Sequence, residues 1–176
     1  MRILVVEDTL LARTMLERSL RKWGYQVDSV SNISDAIEII KQGVIQIVIT
    51  DWIMPGGDGP TLCREIRALN QTNYVYIILV TSLEGSESAT KGLEAGADDF
   101  IHKPVQLDEL HARIKAGERV LALEKALNDR NAELQRAQEL INRGREPRAS
   151  WGCLSVATVP SLARASFPAM NDCAGR

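Results

Sequence analysis

Four apolar runs in this chain each end on a polar group, and that repetition limits the fold more than any other feature. Ile3-Leu4-Val5-Val6 is followed by Glu7 and Asp8, and Ile47-Val48-Ile49-Thr50 by Asp51. Ile77-Ile78-Leu79-Val80 is followed by Thr81, and Phe100-Ile101-His102 by Lys103 and Pro104. Continuous apolar runs of this length suit strands buried on both faces, as in a parallel sheet. If the runs lie parallel, the polar groups gather at one edge of one sheet. Three carboxylates meeting there repel one another unless a cation joins them. The pattern predicts a divalent metal and phosphoryl chemistry.

Between the runs the period changes to that of helices. Residues 9–23 place Leu11, Met15, Leu16, Leu20 and Trp23 on one side and Arg13, Glu17, Arg18 and Lys22 on the other, with Gly24 as a stop. Tyr25 to Val30 reads as a half-polar strand near a sheet edge, Ser34 to Gln42 as a helix closed by Gly43, and Val44 to Thr50 as a β-branched strand. Pro55-Gly56-Gly57-Asp58-Gly59 reads as a turn cluster, followed by a helix to about Leu69. Tyr74 to Val80 reads as the fourth strand, Glu84 to Ala95 as a helix ended by Gly96, and Asp99 to His102 as a short fifth strand. Such βα units with short connections imply a parallel sheet covered on both faces.

From Gln106 the chain is helical again and carries two registers. Leu107, Leu110, Ile114 and Leu121 form a stripe to pack on the sheet. Val120, Leu127, Leu134 and Ile141 recur at heptad spacing, with Leu123 and Ala137 at the companion positions and Arg130 interrupting them. This is a coiled-coil seam. A second copy of the chain would cover it; packing against a missing domain is the alternative. From Gly144 to Arg176 no period remains, and three prolines, Trp151, Cys153 and Cys173 occur. That segment reads as a flexible or non-native tail of unknown role.

Composition excludes several classes. The net charge of -2 offers no electrostatic footprint for nucleic acid. No apolar run nears the roughly 20 residues that span a bilayer. The N-terminal apolar run stops at Glu7-Asp8, unlike a signal peptide. Cys63, Cys153 and Cys173 are too few and too scattered for a disulfide framework or a zinc cluster, which fits the reducing cytoplasm. A flavin phosphate after the first strand would be repelled by Glu7-Asp8.

The residues also have bland readings. Asp8 could cap the first helix, Asp58 could stabilise a turn, Thr81 could be a strand-end cap, Lys103 a surface lysine and Phe100 plain core. His102 and His111 read as structural and Trp52 as packing. Asp51, ending the central strand, is the nucleophile candidate, because functional crevices in open α/β sheets lie beyond the carboxyl ends of the strands.

The joint order of Ile3-Leu4-Val5-Val6-Glu7-Asp8, Asp51-Trp52-Ile53-Met54-Pro55 with Asp58-Gly59, Val80-Thr81-Ser82, Gly96-Ala97-Asp98-Asp99-Phe100 and Lys103-Pro104 is highly specific. Residues 1–120 resemble the receiver domain of a two-component response regulator. The resemblance implies a flavodoxin-like (βα)5 doubly wound sheet in the order 2-1-3-4-5 with an extended C-terminal helix. It implies that Asp51 accepts a phosphoryl group from a sensor histidine kinase or phosphotransfer protein. It implies that Asp8, Asp51 and the Ile53 backbone carbonyl bind Mg²⁺, with Glu7 assisting through water. Thr81 and Lys103 would contact the phosphoryl group, Thr81 and Phe100 would switch, and the Lys103-Pro104 bond would be cis.

The resulting expectation is a cytoplasmic switch, with residues 1–120 a receiver, 121–143 a coiled-coil linker helix and 144–176 a tail. It would catalyse only its own phosphotransfer and dephosphorylation, bind neither nucleic acid nor membrane, and form a homodimer through Val120, Leu123, Leu127, Leu134, Ala137 and Ile141. The extended helix also resembles those ahead of diguanylate cyclase or protein phosphatase domains. A truncated regulator lacking such an output domain, or a constitutive dimerisation scaffold, are the alternatives.

Overall fold

The computed structural model describes residues 1–54, 56–69, 73–82 and 86–145, with the side chains at 86–89, 144 and 145 left aside. Two compact units are present, Met1–Ala137 and Gln138–Arg176. The described part of the second is helical. Most of the expected 144–176 tail lies outside the described residues, as does the expected helix start at Glu84.

The elements run β1 (Arg2–Val6), α1 (Leu10–Lys22), β2 (Gln26–Val30), α2 (Ile33–Lys41), β3 (Ile47–Asp51), β4 (Ile53–Met54) and β5 (Gly57–Asp58). They continue with α3 (Gly59–Ala68), β6 (Tyr76–Thr81), α4 (Ser86–Glu94), β7 (Asp99–His102) and α5 (Leu107–Arg145). The main sheet is parallel, in the order β2-β1-β3-β6-β7. With the two-residue β4 and β5 set aside, this is the flavodoxin-like order 2-1-3-4-5. In the antiparallel β4–β5 pair, β4 precedes the expected turn cluster and β5 lies inside it, a pairing not expected from the sequence.

Strand alternation divides the core in two. Leu4, Val6, Val48, Ile77 and Leu79 face one side, where Ala36 and Ile40 of α2 and Leu62, Cys63 and Ile66 of α3 cover them. Ile3, Val5, Ile47, Ile49, Ile78, Val80 and Ile101 face the other, beneath Leu16 and Leu20 of α1 and Leu110 and Ile114 of α5. Both faces are therefore closed, as the unbroken apolar runs require. Burial pushes the Cys63 thiol up to about 12, so it behaves as a small apolar side chain.

Two helix faces differ from expectation. Leu11 and Met15 are exposed, while Leu16 and Leu20 carry the contact of α1 with the sheet. At 100° per residue Leu11 and Met15 point more than a quarter-turn away from that stripe. Leu107 is likewise exposed in the first turn of α5, and Leu110 begins the buried stripe. Small residues set the layer spacing. A Cβ on Gly117 would stand 2.6 Å from the Tyr76 ring, and one on Gly59 would stand 2.5 Å from the Asp51 carbonyl oxygen. Glycine at 59 lets α3 start directly against the end of β3.

Candidate functional site

The carboxyl ends of β1, β3, β6 and β7 bring the sequence-identified polar groups together. Register places Val6 beside Thr50, Asp51 beside Val80 and Thr81 beside His102. Glu7, Asp51, Thr81 and Lys103 are thereby carried to one rim by backbone pairing alone.

Glu7 and Asp8 have opposite environments. Glu7 leaves β1 pointing inward and is 2% exposed, while Asp8 is exposed. One Glu7 carboxylate oxygen accepts from the Thr9 backbone N–H at 3.3 Å, the other from Lys103 Nζ at 3.2 Å. Arg13 Nη1 donates to the Glu7 backbone oxygen at 2.7 Å, holding the loop to the first turn of α1. Asp8 does not cap α1: Thr9 occupies the cap position, and Asp8 Oδ1 accepts from the Thr9 hydroxyl at 3.3 Å.

Asp51 is oriented from two sides. Oδ1 accepts from the Trp52 backbone N–H at 2.7 Å, and Oδ2 accepts from Lys103 Nζ at 2.8 Å. Trp52 N–H also donates to the Val80 oxygen at 2.8 Å, so the phosphoacceptor candidate is tied to the end of β6. Trp52 itself is buried in the core, as its packing role requires.

Lys103 bridges Glu7 and Asp51. Burial alone would lower its pKa, but hydrogen bonds and charge attraction from Asp51 and Glu7 outweigh that and hold it above the ordinary lysine value. Its backbone N–H donates to the Thr81 carbonyl at 2.7 Å, and the Lys103–Pro104 peptide is cis. Lys103 is therefore not a loose surface lysine. Thr81 is 1% exposed at the end of β6. Phe100 is half-buried against the core beneath α2 to α4, with its ring edge-on to His102 at 5.5 Å between centroids.

Oxygen atoms of Glu7, Asp8 and Asp51 all lie within 4.8 Å of one another. Three carboxylates with one ammonium leave two formal negative charges, the number a divalent cation balances. An all-oxygen, partly open set suits Mg²⁺, which keeps several waters and takes few carboxylates. Ile53 lies two residues beyond Asp51 in the β4–β5 pair, with its side chain exposed.

Asp58 is the cap of α3, accepting from the Thr61 backbone N–H at 2.8 Å. The hydrogen bond from Thr61 holds its carboxyl below the ordinary value, against the opposing effect of burial. His111 stacks on Trp23 at 4.4 Å, consistent with a structural histidine.

One cluster escaped the sequence reading. Asp98 accepts from Arg67 Nη2 at 2.7 Å, from the Ile77 backbone N–H at 2.7 Å and from the Tyr74 hydroxyl. Arg67 also donates to the backbone oxygens of Gly96 and Val75. Burial first, and the bond to Asp98 second, push Tyr74 up to about 12. The network fastens α3 to the start of β6 and to the α4–β7 loop. Only the Gly96-Ala97-Asp98-Asp99 run hinted at it, since its partners lie 21 to 31 residues away.

Residues 3–115 match the family model described as the response regulator receiver domain. The phosphate regulon transcriptional regulatory protein PhoB of Escherichia coli is 31% identical over 149 residues, covering 83% of this chain and 65% of that protein. The transcriptional regulatory protein AfsQ1 of Streptomyces coelicolor is 37% identical over 114 residues, 65% of this chain and 49% of that protein. The chain thus spans from about half to about two thirds of the length of these curated relatives. A crystal structure of a putative response regulator from Chloroflexus aurantiacus superposes with TM-score 0.63 at 33% identity, covering 66% of this chain and 95% of that one.

Proposed function

The chain belongs to the response regulator receiver family, and from that premise we propose that it is a phosphorylation-dependent signalling switch whose phosphoacceptor is Asp51. The single observation that carries the assignment is the joint approach of Glu7, Asp8 and Asp51 oxygens within 4.8 Å, with Lys103 Nζ 2.8 Å from Asp51. A nucleophilic carboxylate, a metal-sized acidic set and a fixed cation in one crevice are the parts that in-line phosphoryl transfer needs.

The donor is a phosphohistidine of a sensor histidine kinase or a phosphotransfer protein. An Asp51 carboxylate oxygen attacks phosphorus as the histidine N–P bond breaks, giving an acyl phosphate on Asp51 and a free imidazole. Lys103 stays beside the attacked group and pairs with a phosphoryl oxygen. Asp8, Asp51 and the Ile53 backbone carbonyl would hold Mg²⁺, with Glu7 assisting through water. When bound, the ion neutralises charge on the phosphoryl oxygens. Later attack by water on the acyl phosphate returns the switch to its resting state.

Thr81 and Phe100 form the relay. Thr81 is buried at the strand end next to Lys103, and Phe100 sits half-buried on β7, the neighbouring strand. Recruitment of the Thr81 hydroxyl toward the phosphoryl group lets the Phe100 ring settle inward. This biases α4 and β7 between two arrangements.

Output runs through α5, with residues 1–120 as the receiver, 121–143 as the coiled-coil linker and 144–176 as an appended tail of no assigned role. The homodimer seam is Val120, Leu123, Leu127, Leu134, Ala137 and Ile141, all of them exposed in the single chain. No helix among the described residues is long and apolar enough to cross a membrane. A second reading, in which this receiver governs an attached output domain, is favoured by the greater length of the matched relatives.

Incubation with acetyl phosphate and Mg²⁺ should add one phosphoryl group to the intact mass, and Asp51→Asn should abolish it. Labelling that survives Asp51→Asn would defeat the assignment.

A further inference from the structure

The α5 seam contains one position that does not belong in a stable coiled coil. In the heptad set by Val120, Leu127 and Leu134, the companion positions are Leu123, Arg130 and Ala137. Arg130 therefore occupies the middle core layer. Its guanidinium pairs with Glu133 on its own helix at 3.3 Å, and both side chains are largely exposed. Beside it Leu123, Leu127 and Leu134 are 68%, 58% and 68% exposed.

We infer that the occupant of this seam is a second copy of the chain, parallel and in register, and that the Arg130 layer keeps the pairing weak enough to be reversible. The inference rests on the homodimer reading above and adds its orientation and its control.

Orientation follows from charge. A parallel in-register pair sets each flanking residue against one five positions on in the other copy. Arg119 then faces Glu124 of the second copy, and the symmetry makes two such pairs. An antiparallel pair matching Val120 through Ala137 sets Glu124 against Asn131 and Ala126 against Glu133, so neither pairing joins opposite charges. The receiver bodies do not obstruct the parallel arrangement. Leu110, Ile114 and Leu121 face the chain's own core about a third of a turn round α5 from the seam, and the two-fold axis of a parallel pair sets the two bodies on opposite sides of the coil.

Strength follows from the layer. Two Arg130 side chains meet at the same level of a parallel pair. Their like charges oppose association, while the bond to Glu133 draws each head outward and leaves the aliphatic stem over Leu127 and Leu134. The layer is tolerated rather than favourable. A polar core position of this kind fixes register at the expense of affinity. With the pairing held near balance, a small bias from the receiver suffices to move the population.

The test is sedimentation equilibrium of the full chain with and without beryllofluoride, a phosphoryl mimic. Arg130→Leu should tighten the dimer by about tenfold or more and shrink its dependence on beryllofluoride. Arg119→Glu and Glu124→Arg should each weaken it, and the double exchange should restore it. No rescue can arise within one helix, because residues five apart do not face each other. An unchanged dissociation constant in Arg130→Leu would overturn the control claim, and absence of rescue would overturn the parallel one. Leu127→Lys separates the levels: if it leaves association untouched, the homodimer reading itself falls.

Discussion

Glu7 is 2% exposed and Leu123 is 68% exposed. The strand-end crevice buries charge, and the outer face of α5 offers apolar groups to water. Each inverts the ordinary distribution of residues. In the crevice the inversion is partly compensated, since Lys103 bridges Glu7 and Asp51, and no buried side-chain polar atom among the described residues lacks a hydrogen-bond partner. On α5 nothing among the described residues covers it. A buried charge must be met within the fold, whereas an exposed apolar stripe on a regular helix costs the monomer little.

Substitutions on the two sides of α5 give the largest contrast. Leu110→Ala opens a cavity in the core between α5 and the sheet and should cost about 2–5 kcal/mol in urea unfolding. Leu127→Ala, measured dilute enough to keep the chain monomeric, should change stability by less than about 0.5 kcal/mol. Similar losses for both would show that the outer face is already packed and would erase the comparison.

Lys103→Met probes the crevice. It should slow phosphoryl acceptance from acetyl phosphate by about 100-fold, the effect of removing one charged donor from a developing phosphoryl charge. It should also cost roughly 1–3 kcal/mol by leaving Glu7 buried without its partner. The sign with pH is set by the raised Lys103 pKa. The folded state holds this proton more tightly, so the ion pair contributes fully below the ordinary value of 10.5 and is lost as pH climbs through the folded value. The difference between wild type and Lys103→Met should therefore narrow on the alkaline side.

Asp58→Ala gives a smaller effect of about 1 kcal/mol, from loss of the α3 cap. Its lowered pKa means the cap's charged form is present above the ordinary value of 3.8 and is lost as pH falls below it. The mutant and wild-type curves should converge in acid. Smallest of all, Glu133→Gln should change monomer stability by less than about 0.5 kcal/mol, because its pair with Arg130 is exposed. A larger loss would mean that charge on α5 is held as firmly as charge in the crevice.

The site was legible because its residues sit at the ends of apolar runs, and the parallel register carries run ends to a common rim. The packing role of Trp52 was within the bland readings and describes what it does here, whereas the cap expected at Asp8 is filled by Thr9, and Asp58, read as a turn residue, caps α3 instead. Leu11 and Met15 were misplaced for a definite reason. A helix with apolar residues on more than half its circumference has no single phase, and only the sheet beneath α1 chooses Leu16 and Leu20. The Asp98 network was hidden because Arg67, Tyr74 and Ile77 are ordinary residues until folding brings them to one carboxylate.

Local pattern alone determined the alternation of strands and helices, the polar strand ends and the heptad on α5, because periodicity and residue type act over short stretches of chain. The inward turn of Glu7 against the outward turn of Asp8, the bridge from Lys103 to two carboxylates and the side of each helix that is covered were decided only by tertiary structure. Those choices depend on which surfaces meet, and meeting is a property of the packed layers, with no trace in any one segment.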